Sequence, residues 1–154
     1  MKNIKIEMGR QGNFIVAILL VHFVFFGYIA NVFEKSIGLD IIFLNKVLFN
    51  PNSYFSIIIL IAIVFFVVFR ESFFEYGIRN SIMLVPIIIG MSWMWSWFIN
   101  GFNLIIIPLF FASLEGYLTI LVLLGINFGT ALLASMLKEK YKEYKKKIKH
   151  IEPI

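Results

Sequence analysis

The sequence predicts an all-α, polytopic membrane protein with four transmembrane helices and a short re-entrant or interfacial segment before the last helix. Three observations predict it. Of 154 residues, 60% are hydrophobic and the mean hydropathy is +0.90. Soluble domains run at roughly 45–50% apolar, so this chain has too little polar surface to cover a water-facing globule. The apolar residues fall in long charge-free runs, and the basic residues collect in the connections on one side of them. Together these exclude a soluble enzyme, a disordered chain and a free nucleic-acid-binding module, although the net charge is +5. With no cysteine there is no disulfide, thiolate ligand or thiol nucleophile.

A helix rises 1.5 Å per residue, so a hydrocarbon core of about 30 Å takes roughly 20 apolar residues. The first span is 14–30, FIVAILLVHFVFFGYIA. A cleavage after Ala30 would put Tyr28 at −3, where a signal peptide needs a small residue, so the segment reads as an uncleaved span. The second span is 53–69, slightly short. No charge lies between Arg79 and Glu115, a stretch too long for one span and too short for two. Turn-forming Asn100-Gly101-Phe102-Asn103 divides it, leaving 80–99 as the third span. The remaining piece, 104–112, contains Pro108 and as a helix reaches only about 14 Å. It is expected to be re-entrant or interfacial, or to extend the fourth helix from near Pro108. Such backbone at membrane depth is tolerated only against protein or water. The fourth span is 117–137, followed by a basic tail, 138–154. The connection 31–52 carries an apolar run, 39–44, suited to the membrane surface. The whole chain reads as a single membrane domain.

Charge sets the orientation. With four spans, Lys2, Lys5, Arg10, Arg70, Arg79 and the seven lysines of the tail share one side, and only Lys35 and Lys46 lie on the other. The positive-inside rule places both termini in the cytoplasm, in a multi-pass protein of the cell membrane. The lysine-rich tail, KEKYKEYKKKIKHIEPI, is expected to continue as helix and to contact anionic lipid.

Several residues are candidates for more than packing. Gly125 and Gly129 form a GxxxG, which lets a partner backbone approach closely, from this chain or from another subunit. Asn127 lies about 200° around the helix from Gly125 and suits an interhelical hydrogen bond. His22, in the middle of span one, is an ionisable residue at membrane depth and so a functional candidate; a neutral imidazole hydrogen-bonded to a backbone carbonyl or a neighbouring Asn or Ser is the preferred account. Glu115 is the only acid between Asn80 and Leu137. It suits either a proton or cation site facing a cavity, or an interfacial carboxylate at a helix N-terminus, where the dipole favours it. Asn100 and Asn103 join it as a candidate polar site. Trp93, Trp95 and Trp97 read as an aromatic belt, and Pro86 as a kink in span three. No HExxH, GxSG, phosphate loop or intramembrane acid pair occurs, so no enzyme, metal or cofactor is expected.

The second half resembles a known family. Arg79-Asn80-Ser81 opens a span, then come Pro86 and Gly90, Asn100-Gly101-Phe102, Leu114-Glu115-Gly116, and a last span with Gly125 and Gly129. In that order, over about half the chain, it is similar to the stage II sporulation protein M family of integral membrane proteins. The resemblance implies a non-enzymatic membrane component that works with partner proteins and has no catalytic residues. The expected role is therefore a subunit or scaffold of a membrane complex, acting through a membrane-protein partner or self-association. The other reading is a small oligomeric channel or transporter lined by Glu115, Asn100, Asn103 and His22.

Overall fold

The computed structural model describes residues 2–37, 43–49, 54–71 and 73–151, with side chains for 11–32, 44, 47–49, 54–71 and 73–148. All the described secondary structure is helical. A first rod consists of α1 (Lys2–Leu20), a π-helical stretch (Val21–Phe26) and α2 (Gly27–Ile37). There follow α3 (Phe43–Phe49), α4 (Tyr54–Arg70), α5 (Phe74–Asn100), α6 (Ile106–Ala112) and α7 (Leu114–Ile151). Three helical stretches are long and apolar enough to cross a membrane: Gln11–Val32, Phe74–Asn100 and Leu114–Ile148. The fourth apolar helix, α4, has 17 residues, about 26 Å.

The helices overrun the predicted spans because charge and polarity end an apolar run without ending a helix. α5 starts six residues before position 80, and α7 reaches Ile151, a 38-residue helix about 57 Å long. Position 53, the first of the second predicted span, and 152–154 of the tail lie outside the described residues. The segment 104–112 does not extend the last helix. α6 is a separate helix, stopped by extended backbone at Ser113 (φ −98°, ψ 143°). Of the run 39–44, residues 39–42 lie outside the described residues. The adjoining α3 buries Leu44, Val47 and Leu48 and packs against α4, α5 and α7.

α7 is the central element, in extensive contact with α4 and α5, while the first rod packs on α4 and α5. The interior is mainly apolar but, unlike in a water-soluble bundle, the outside of the long helices is apolar too. Only 28%, 33% and 33% of the three long apolar stretches are buried, so most of their apolar surface faces outward, including Ile15, Phe23, Met83, Leu121 and Leu133. Beside the apolar core, the helix contacts also enclose Ser81, Ser92, Ser96, Thr119, Asn127 and Thr130. Small and hydroxyl-bearing side chains let helices approach and satisfy their own polar atoms locally. Ser81 and Ser92 do this by donating to the carbonyls of Ile78 and Ile89, each at 2.7 Å. Gly77 belongs to the same pattern: a Cβ there would sit 2.9 Å from Val68 Cγ1, so its absence lets the start of α5 lie against the end of α4.

Asn127 makes a long-range side-chain bond between α7 and α5. Its Nδ2 donates to the Ser81 carbonyl at 3.0 Å, while its Oδ1 is buried without a donor. The opposite amide orientation would set two acceptors face to face. With half of the amide unsatisfied, Asn127→Leu is expected to cost about 1 kcal/mol or less, read as a small shift in the thermal unfolding midpoint in detergent. A loss several times larger would show that Asn127 has a further role in the bundle.

Candidate functional site

Three of the predicted polar residues collect at one end of the bundle, where α5, α6 and α7 meet. α5 stops at Gly101, whose φ of 88° favours glycine and whose N–H still donates to the Trp97 carbonyl at 3.0 Å. Asn103 then shapes the connection. Its Oδ1 accepts from the Ile105 N–H at 2.9 Å, an Asx turn, and its carbonyl accepts from Trp97 Nε1 at 2.8 Å. Asn100 Nδ2 reaches the Ser96 hydroxyl at 3.5 Å. Asn100, Asn103 and Glu115 are all exposed, and among the described residues their hydrogen bonds are local, made within six residues of chain.

Glu115 takes its place from the corner between α6 and α7. Ser113 caps α7: its Oγ accepts from the Gly116 N–H at 3.1 Å and donates to the Phe110 carbonyl at 3.0 Å. Glu115 therefore stands in the first turn of α7, where the helix dipole favours a carboxylate. Gly116 is buried, and a Cβ there would overlap the Phe110 carbonyl oxygen. Only glycine fits this approach of α6 to α7.

His22 lies elsewhere. It occupies the π-helical stretch, half-buried, with its ring 4.9 Å from Phe23 and 5.5 Å from Trp95. Trp95 also stacks on Phe26 at 6.3 Å and 12°. Each tryptophan packs against a different part of the fold. Trp93 packs edge-on to Phe110 and Phe111 of α6, Trp95 faces the first rod, and Trp97 meets Phe102 and Asn103. The Nε1 atoms of Trp93 and Trp95 are buried without an acceptor.

Gly125 and Gly129 face away from the chain's own helices. Gly125 is exposed, Gly129 half-buried, and a Cβ at either would meet nothing within 4 Å. The buried side of α7 carries Thr119, Leu123, Asn127, Thr130 and Ala134 instead. Pro86, inside α5, is exposed.

The opposite end of the bundle holds a cluster that charge patterning does not reveal. Glu71, immediately after α4, is only 2% exposed. Its N–H completes α4 by donating to the carbonyls of Val67 and Val68, at 3.2 and 3.1 Å. Its Oε2 accepts from Asn13 Nδ2 of α1 at 3.3 Å. Its backbone carbonyl accepts from the Lys138 ammonium of α7. One residue thus joins the first rod, the α4–α5 connection and the last helix. Burial lowers the Lys138 pKa below the ordinary lysine value and the neighbouring Lys142 lowers it further, while Glu71 acts in the opposite direction. Beside this cluster lies a cavity of about 50 Å³, lined by Glu71, Phe73, Phe74, Ser135, Lys138 and Lys142 among others.

Neither end gathers metal ligands: no group of three or more histidine, cysteine or acidic side chains comes together among the described residues. Comparison with protein families, with curated proteins and with solved structures found no match.

Proposed function

We propose that this chain is a non-enzymatic integral protein of the cell membrane, with both termini in the cytoplasm, serving as a subunit or scaffold of a membrane complex. The observation that carries the reading is the outward surface: apolar along the long helices, with Gly125 and Gly129 open on it and no neighbour within 4 Å of an added Cβ among the described residues. In lipid, an apolar face alone gives little drive to associate, whereas a small-residue face allows close backbone approach. Asn13, Glu71 and Lys138 share one end of the bundle, which agrees with the charge-based topology that puts the N-terminus, the α4–α5 connection and the tail on one side. The resemblance of 79–140 to the stage II sporulation protein M family points to the same kind of role.

A mild-detergent pull-down with native mass spectrometry tests this. A stoichiometric complex, either with a foreign membrane protein or with further copies of the chain, is expected. The double variant Gly125→Leu, Gly129→Leu should dissociate it without lowering the unfolding midpoint of the single chain, since both added side chains point into open space and leucine favours helix over glycine. Glu115→Gln should leave the complex intact and have no other effect. An ion or solute flux lost in Glu115→Gln would replace this reading with that of an oligomeric channel or transporter.

A further inference from the structure

We propose that the cavity beside Glu71 is a binding site for the phosphate headgroup of an anionic phospholipid. The inference rests on the membrane reading above and goes beyond it by assigning a specific site and ligand. Four features converge there. The first is position: the cavity lies where α7 passes from Leu137 into its lysine-rich stretch, beside the connection between α4 and α5. In a bilayer this is headgroup depth.

The second is charge. Lys138 and Lys142 are four residues apart on one face of α7 and both line the cavity. Lys138 is held by the Glu71 carbonyl, whereas Lys142 makes no hydrogen bond or carboxylate contact among the described residues. Two neighbouring ammonium groups repel unless an anion lies between them. Burial first and Lys142 second lower the Lys138 pKa, with Glu71 opposing them. The carboxylates at the cavity offset this only in part: Glu71 opposes the charge of Lys138 and Glu139 also lines the cavity, but neither contacts Lys142. Glu71 Oε2 is engaged by Asn13, and Glu139 is exposed on the next position of α7.

The third feature is the wall. Phe73 and Phe74 are 54% and 48% exposed at the cavity, which suits acyl chains rather than a free aqueous anion. The fourth is size. About 50 Å³ exceeds the space that one or two waters need, enough for the phosphate while the glycerol and chains lie outside along the phenylalanines.

The experiment uses the full chain in a neutral detergent, with native mass spectrometry after addition of phosphatidylglycerol, phosphatidylcholine of the same acyl length, or inorganic phosphate. Carbonate extraction of the membrane fraction is done first, so that failure to insert is recognised separately. The wild type should retain phosphatidylglycerol about fivefold over phosphatidylcholine. Lys142→Gln should bring that ratio close to one with helix content and elution volume unchanged, as expected for an exposed position. Lys146→Gln removes the same charge from the exposed tail away from the cavity and should leave the ratio as in the wild type. Equal losses in the two lysine variants would reduce the effect to general attraction by the tail and overturn the proposal. So would a wild-type ratio near one, or displacement of the lipid by millimolar inorganic phosphate.

Discussion

Gly116→Ala is expected to be among the most destabilising single-methyl additions to this chain, costing about 3 kcal/mol. For a chain of this size that lowers the thermal unfolding midpoint by roughly 6–12 °C. The added Cβ would overlap a backbone carbonyl, that of Phe110. A flexible side chain could swing aside, but a carbonyl moves only with its helix. Relief therefore requires α6 to lift from α7, which also breaks the bonds Ser113 makes to Phe110 and Gly116. Because Trp93 packs on Phe110 and Phe111, tryptophan fluorescence should change together with stability. Gly125→Ala is the matched control. It adds the same methyl where nothing lies within 4 Å, and helix propensity favours alanine by up to about 1 kcal/mol. Equal midpoints for the two variants would refute the close approach of α6 and α7.

Glu71→Ala is the second large effect, expected at about 2–3 kcal/mol. Removing one partner of a buried polar cluster leaves the others unpaired, which costs more than the cluster's net contribution. Asn13 loses its acceptor and Lys138 loses the opposing charge. The magnitude stays below that of a fully buried ion pair because Lys138 is only partly covered and solvent screens it. Glu71→Gln separates the two contributions. It keeps an oxygen for Asn13 and the backbone carbonyl that holds Lys138, and removes only the charge. It should therefore cost less than half of what the alanine variant does, measured as the difference in unfolding midpoint at neutral pH. If the two variants cost the same, charge dominates the cluster, and Asn13 contributes little.

How much of this was legible in the sequence depends on the reach of each interaction. The helices were legible because an apolar run of about 20 residues has few alternatives once backbone groups must pair within the segment. The turn at Asn100–Asn103 was legible because its determinants are local: Gly101 at positive φ and the Asn103 side chain bonding two residues ahead. The corner at Ser113 was equally local, yet the uncharged stretch around it offered no boundary, so α6 could be read as part of α7. The outward direction of Gly125 and Gly129 follows from Asn127, since a buried amide 200° away fixes the inner face; the glycine spacing by itself leaves that direction open. Glu71 was not legible. Beside Arg70 it reads as an ordinary charge at a helix end, and its partners come from 58 and 67 residues away.

The π-helical stretch in the first rod has a consequence for helical phase. Ala17, Val21, Phe25 and Ile29 are all fully buried, each four residues from the next. In an unbroken α-helix each such step drifts by about 40°, so the three steps would carry the stripe about 120° around the rod. The π turn, at roughly 4.4 residues per turn, drifts the other way and returns part of that rotation. The stretch Val21–Phe26 therefore behaves as a one-residue insertion absorbed in phase. Deleting one residue there restores an α-helix whose two flanks still present the same faces to α4 and α5. The same deletion within the buried part of α7 would turn everything beyond it by about 100°.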